Sequence, residues 1–515
     1  MRFLKVVLAL LVLGSVAILG LRLAHPLPPL PTEPPSVAIP ASPDTALGRA
    51  LLPRAAENPG LSGIVPLPDG RDALAARVLM SRAAEETIDV QYYIWQTDTT
   101  GWLLLEELRA AAERGVRVRL LLDDNGIPGL DSVLAAMDAL ATVEVRIFNP
   151  FTMRRPKLLS YAFDFPRLNR RMHNKSMTVD GIATVIGGRN IGDIYFAYGD
   201  GTAYFDLDVL AVGTAAEDVS VDFDRYWASA SAYPAQVVLP PSHTGLAELA
   251  AAATCARGSV RGSDYLAAIG ESPLLRRALA GEAALEWTTV TLVSDDPAKG
   301  LGQAEKTDLL VGQMPGLLES PERSVDLVSA YLIPGRVGTD LLQGYARDGL
   351  AVRVVTNSLE ATDVPPVHSA WMRYRDELIA AGVTVLELRA RPEPSASDTL
   401  TNILMGSVSS LHAKTFTVDG ERVFIGSFNF DPRSASLNTE MGFLIDSPGI
   451  AKALARTLDG REAVYEVVQT GDGLLAWIET QSSGETATHT TEPNTSALER
   501  AMVRVLSWLP IEWIL

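Results

Sequence analysis

Two short runs in this 515-residue chain carry the same side chains at the same intervals. The first is His173-Asn174-Lys175, then Asp180 after four residues, then Gly187-Gly188-Arg189-Asn190 after six more. The second is His412-Ala413-Lys414, Asp419 and Gly426-Ser427-Phe428-Asn429, with identical spacing. Residues i and i+2 of a strand project from one face, so each histidine and lysine point together. Asp180-Gly181 and Asp419-Gly420 fall where a tight hairpin turn belongs. Each copy thus brings an imidazole, an ammonium and a carboxamide to one sheet edge. That set suits a phosphodiester. Lysines and asparagines hold the non-bridging oxygens, an arrangement worth several kcal/mol to a transition state, on the order of what such donors supply in a dry pocket. One imidazole attacks phosphorus, and the other protonates the leaving alkoxide and later deprotonates an incoming alcohol or water.

A nucleophilic imidazole needs its second nitrogen held. Asp206 and Asp208 after the first run, and Glu440 after the second, are acidic residues bordered by apolar strands and are the expected partners. Asp180 and Asp419 are counted with the site as motif members, although a turn role fits a residue before glycine equally well. No metal or cofactor is called for, and His25, His243, His368 and His489 lie outside the motifs.

The elements that position these residues are written twice. A strand-like run Ile88 to Ile94, a helical pattern from Trp102 to Arg114 and a strand from Val116 to Leu122 recur as Val325-Asp326-Leu327, Thr339 to Arg347 and Ala351 to Val355. A further strand follows each time, Val143 to Phe148 and Val383 to Leu388, before the His-x-Lys hairpin. Alternating strands and helices with nearly continuous apolar strand cores predict two similar α/β/α halves. Their sheets are expected to be mostly parallel and the halves to pack on a pseudo-two-fold axis. The expected divisions are a membrane anchor or signal segment 1–25, a Pro-rich linker 26–64, halves at 65–245 and 285–465 joined by an Ala-rich helical bridge 246–284, and a tail 466–515. Ser482–Asn494 reads as a polar loop.

The chain carries 44 basic and 62 acidic residues, a net charge of −18. That balance argues against tracking nucleic-acid backbones, where basic surface supplies most of the affinity. Cys255 is the single cysteine, so no intrachain disulfide forms. Val6 to Leu21 is an uncharged apolar run of about 24 Å as a helix. With Arg2 and Lys5 before it and no small-x-small cleavage site after it, the run is expected to stay as an anchor, with the body across the membrane. Trp508 and Trp513 lie in a tail that fits either the core or a membrane interface. Leu158 to Pro166, before the first motif, reads as ordinary core or as an acyl-chain entrance. Arg167, Arg170 and Arg171 follow it as a small basic cluster.

The paired motifs resemble the phospholipase D superfamily. Within it, Asp89-Val90-Gln91-Tyr92-Tyr93-Ile94-Trp95, Leu121-Leu122-Asp123-Asp124-Asn125 and Asn429-Phe430-Asp431-Pro432-Arg433-Ser434 look like bacterial cardiolipin synthases. The resemblance implies a duplicated phospholipase D-like fold with His173 as nucleophile and His412 as general acid and base. Lys175, Lys414, Asn190 and Asn429 would bind phosphate, and Ser427 would contact substrate. It also implies a phosphatidyl transfer to phosphatidylglycerol, with phosphatidylethanolamine as donor, at a bacterial inner membrane with the bulk on the periplasmic side. Phospholipids and the membrane are then the partners, nucleic acid is not, and a helper protein is not legible. Hydrolysis by water is the rival outcome, and a nuclease of the same superfamily fits the acidic balance less well. Gly188 stands where the family has serine, which removes one hydroxyl from the first copy.

Overall fold

The computed structural model describes residues 2–196, 204–271, 276–278, 280, 282, 285–318, 320–390, 410–461, 463–481 and 483–515. Two sheets of nine and ten strands hold the molecule. Each is centred on three parallel strands: Thr87–Ile94, Arg117–Gly126 and Val143–Phe148 in the first, Ser324–Ser329, Ala351–Asn357 and Thr384–Leu388 in the second. The helices Thr99–Glu113 and Gly335–Arg347 make the matching crossovers. The expected duplication is therefore present. The expectation of mostly parallel sheets is not met, because every other pairing in both sheets is antiparallel. The cause is local. Each motif is a hairpin, and a two-residue turn joins only antiparallel strands.

Those hairpins are Ser176–Val179 with Ala183–Gly187, and Lys414–Val418 with Arg422–Gly426. Their turns place Asp180 and Gly181 at φ 50° and 65°, and Asp419 and Gly420 at 58° and 64°. Two successive left-handed residues match the twist of the flanking strands, and Asp-Gly is the pair that adopts them at least cost. The return strands of the hairpins, Ala183–Gly187 and Arg422–Gly426, and the next strand of each half, Asp208–Gly213 and Met441–Asp446, share one apolar cluster with members from both halves. Ile186, Val209, Ala211, Val423, Ile425, Met441 and Phe443 are among its buried residues. The core between the halves thus includes the return strands that lead to Asn190 and Asn429.

Several boundaries fall elsewhere than expected. Glu286–Thr288 pairs with Ser62–Leu67 in the first sheet, while Val290–Ser294 opens the second, so the chain changes sheet at Thr289. The second sheet runs on through Leu475–Thr480 and Thr486–His489, placing a strand inside the polar run read as a loop; Ser482 lies outside the described residues. Within 246–284, the described helices Gly245–Arg257 and Val260–Glu271 cover helices of the first half rather than spanning both. The Pro-rich stretch is strapped to the body: Ser36 Oγ donates to Glu144, and Ala38 N to Asp224.

The helix Arg2–Ala24 is exposed along its length, and Phe3–Ala24 has a mean hydropathy of 2.6, long and apolar enough to cross a membrane. Its end meets the helix Ser160–Leu168, where His25 stacks on Phe163. Leu158, Phe165, Trp508 and Trp513 are exposed, and Phe165 touches Trp513 edge-on.

Candidate active site

Both histidines are anchored on the opposite half. The His173 N–H donates to Thr439 O at 2.9 Å, and the His412 N–H to Phe205 O at 2.7 Å. The preceding residues form matching parallel bridges, Met172 with Thr439 and Leu411 with Phe205. Each bridge delivers the next residue of the partner half to the imidazole. Glu440 Oε2 lies 2.8 Å from His173 Nδ1, and Asp206 Oδ2 lies 2.5 Å from His412 Nδ1. Sheet register makes the two carboxylates equivalent, since Gly187 pairs with Asp208 and Gly426 with Gly442. Two of the three expected acidic partners are therefore at the imidazoles, and each serves the histidine of the other half.

Asp208 does not orient a histidine. Its Oδ2 receives Arg77 Nη2 at 2.9 Å, and Arg189 approaches from the other side, so two buried guanidiniums balance this buried charge. The serine position also needs correction. Ser427 Oγ donates to Glu440 Oε2 at 2.6 Å and accepts from Met441 N at 3.0 Å, so it supports a carboxylate and does not face substrate. At Gly188 a β-carbon would stand 2.1 Å from Asp206 Oδ1. The shorter aspartate occupies the space that a serine side chain takes in the other half. The missing hydroxyl is thus a missing support for a carboxylate.

Asp180 and Asp419 sit at the far ends of their hairpins, about 13 Å of strand beyond the lysines. Asp180 accepts the N–H groups of Glu85, Glu86 and Thr87, and Asp419 those of Glu322, Arg323 and Ser324. Each ties its turn to the start of the neighbouring strand. They are structural, because a carboxylate spent on three backbone donors at that distance cannot reach the imidazoles.

The remaining motif residues converge. Lys175 Nζ donates to His173 O at 2.6 Å, while Lys414 Nζ donates to His412 O and lies 2.9 Å from His412 Nδ1. Asn190 Oδ1 accepts from Ile94 N, and Asn429 is buried beside the Ser434 hydroxyl. His173, His412 and both lysines are almost fully buried. Burial, then Lys175 and Lys414, holds the His173 pKa well below its ordinary value. Burial and Lys414 bring His412 to about 4 against the opposing pull of Asp206. Burial lowers Lys175 to about 7 and lowers Lys414 as well. Four buried nitrogen bases set this close together favour a bound anion, which would raise each of them.

The carboxylates differ. Burial lifts Glu440 to about 7, opposed by Lys175 and the Ser427 hydroxyl. Burial would lift Asp206 too, but His412, Lys414 and Arg189 carry it below the usual carboxylate range. The carboxylate facing His412 is thus held below the usual range, and the one facing His173 is pushed above it.

Sequence reasoning missed the supports. Asp123 Oδ2 accepts Met172 N at 2.8 Å, and Asn357 Oδ1 accepts Leu411 N at 2.8 Å; each holds the residue before a motif histidine. Both lie at the C-terminal ends of central parallel strands, a placement that could have flagged them. Ser434 Oγ donates to Glu440 Oε1, and Lys299 bridges Asp295 and Ser434 O beneath it. Tyr93 meets His173 edge-on, and Tyr204 stacks on His412 with centroids 5.1 Å apart. Among the described residues, no group of three His, Cys, Asp or Glu side chains is arranged to hold a metal.

Two α/β halves whose motif histidines are each completed by a carboxylate of the other half define a phospholipase D-like enzyme. The family model described as cardiolipin synthase, PLD-like domain, matches residues 79–227 and 316–461, and the chain belongs to that family. It is 44% identical to cardiolipin synthase C of Escherichia coli (strain K12) over 475 residues, 91% of this chain and 99% of that protein. It is 25% identical over 406 residues to the major cardiolipin synthase ClsA of Bacillus subtilis (strain 168), covering 78% of this chain and 70% of the relative. The crystal structure of phosphatidylserine synthase from Haemophilus influenzae Rd KW20 shares the fold, with a TM-score of 0.54, 13% identity and coverage of 90% and 99% of the two chains.

Proposed function

We propose that this chain is a membrane-associated phosphatidyltransferase that makes cardiolipin from phosphatidylglycerol and a second phospholipid, phosphatidylethanolamine. The observation that carries the mechanism is the crossed pairing of each motif histidine with the carboxylate of the opposite half. His173 Nε2 attacks the donor phosphorus while Nδ1–H is held by Glu440. The bond from phosphorus to the headgroup oxygen breaks, and that oxygen takes the proton of His412. A hydroxyl of phosphatidylglycerol then gives its proton to His412 and attacks the phosphohistidine, breaking the phosphorus–nitrogen bond.

Electrostatics supports this division of work. A nucleophile must be neutral, and burial with Lys175 and Lys414 holds the His173 pKa well below its ordinary value despite Glu440 alongside. An acid must be protonated, and His412 keeps the ionised Asp206 at 2.5 Å. A bound phosphodiester brings negative charge beside both imidazoles, which raises them and lets His412 take its proton. Lys175, Lys414, Asn190 and Asn429 hold the phosphoryl oxygens.

The exposed apolar helix Arg2–Ala24 anchors the enzyme, and Arg2 and Lys5 put the body on the periplasmic side. The test is lipid analysis of mixed phosphatidylethanolamine and phosphatidylglycerol vesicles carrying the full chain. Cardiolipin with released ethanolamine is expected, and phosphatidic acid as the sole product would sink the reading.

A further inference from the structure

The transfer reading above places the leaving headgroup on a particular side of the cavity. In-line displacement by His173 expels the oxygen opposite to it, where His412 waits with a proton. The groups packed around the His412 ring are therefore the ones nearest to the rest of the headgroup. Tyr204 is stacked on that ring with an interplanar angle of 18°, and Tyr195 packs edge-on against both. The Tyr204 hydroxyl donates to Asp363 Oδ2 at 2.9 Å, and the Tyr331 hydroxyl donates to the same oxygen at 2.9 Å.

Asp363 is exposed, so this corner opens to the outside. Among the described residues no lysine, arginine or histidine lies within ion-pair distance of it, and Oδ1 has no hydrogen-bond partner. Most acidic groups around the site have a cation or backbone donors to satisfy them. Asp363 has two phenols on one oxygen, a free second oxygen and aromatic faces alongside. A carboxylate flanked by aromatic rings attracts a cation with hydrogen-bond donors to give.

We propose that Asp363, fixed by Tyr204 and Tyr331 beside His412, binds the primary ammonium of the leaving headgroup and so selects an ammonium-bearing phospholipid as phosphatidyl donor. Two carbons separate the ammonium from the leaving oxygen in such a headgroup, and Tyr204, stacked on His412 and hydrogen-bonded to Asp363, links the two ends of that reach. A glycerol headgroup presents hydroxyls and no cation, so it gains less from the carboxylate. The same corner then receives the glycerol of the acceptor once the amine has left, since attack on the phosphohistidine comes from the side the leaving group vacated. One carboxylate thereby separates donor from acceptor in a reaction that uses two phospholipids.

The test uses full-length protein in vesicles of equimolar phosphatidylethanolamine and phosphatidylglycerol. The readout is the ratio of ethanolamine to glycerol released, since glycerol appears when phosphatidylglycerol serves as donor. Asp363→Asn should lower that ratio about tenfold, as expected for loss of one ammonium–carboxylate contact. Asp363→Glu should restore most of it, and Tyr331→Phe should give an intermediate value. An unchanged ratio in Asp363→Asn, including one in which both releases fall together, overturns the proposal and leaves the transferase reading standing. Wild-type protein that forms cardiolipin without releasing ethanolamine overturns both the donor reading and the proposal.

Discussion

The two halves hold their histidines by the same backbone route and then diverge at the side chains. On the His173 side, Glu440 takes hydrogen bonds from Ser427 and Ser434, and burial pushes it up to about 7. On the His412 side, the shorter Asp206 lies over Gly188, takes the Leu207 N–H at 2.8 Å and stays ionised. A duplicated unit would by itself supply two equal bases. Unequal carboxylates make one imidazole a poised neutral base and the other a proton carrier, the arrangement by which paired groups divide acid and base work. The apparent defect in the first motif therefore belongs to the difference.

The strongest test of that difference separates the histidines by leaving group. His173→Ala should lose turnover by about ten-thousand-fold or more, because no phosphoryl-enzyme bond can form. His412→Ala should lose about a hundred- to ten-thousand-fold with natural lipid. A phosphatidyl ester of p-nitrophenol, whose leaving group needs no proton, should recover much of the His412→Ala loss and none of the His173→Ala loss. Recovery of both variants, or of neither, would remove the division of labour.

Repairing the first motif should do harm. Gly188→Ser sets a β-carbon where Asp206 Oδ1 now stands, so Asp206 must move and His412 loses its support. A displacement near 1 Å costs about a hundredfold in rate. Ser427→Ala removes one of the donors to Glu440 and should cost about tenfold. If initial rates put Gly188→Ser at or above wild type, the account of Gly188 is wrong.

The same asymmetry predicts a pH effect. Asp206 raises the His412 pKa, so Asp206→Asn lowers it. Protonated His412 is present below its pKa and lost as pH rises through it, so the basic limb of kcat moves to lower pH in Asp206→Asn. Glu440→Gln should leave that limb in place. A pH–rate profile of the two variants decides it.

The smallest effects are expected at the turns. Asp180→Ala and Asp419→Ala each remove a carboxylate from three backbone donors at a left-handed residue. The buried Asp180 should cost about 2 kcal/mol and the more exposed Asp419 about 1 kcal/mol in denaturant unfolding. Turnover per folded molecule should stay within about twofold of wild type, since neither carboxylate reaches the imidazoles. A collapse of turnover in fully folded protein would return them to the chemistry.

Much of this was legible because it is local. The i, i+2 placement of His173 with Lys175 and of His412 with Lys414, the Asp-Gly turns, and the strand–helix–strand repeat all follow from backbone periods of a few residues. The candidate carboxylates could be shortlisted from acidic residues between apolar strands, and two of three are at the site. Asp208 was indistinguishable from Asp206 until Arg77, 131 positions earlier, was seen to neutralise it. Ser427 was misread for the same reason, since what a short side chain faces depends on a neighbouring strand. The mixed sheets were missed because apolar runs report burial on two faces and say little about strand direction.

By itself the sequence determined the chemical inventory: two imidazoles, two ammoniums and two carboxamides, each set delivered on a hairpin edge. Tertiary structure decided which carboxylate meets which imidazole. The His173–Glu440 and Asp206–His412 contacts span 267 and 206 positions, and both cross from one half to the other. Local periodicity cannot encode that exchange. It follows from the shared apolar core between the hairpin strands, which presses the two halves together and leaves each histidine completed only by the other half.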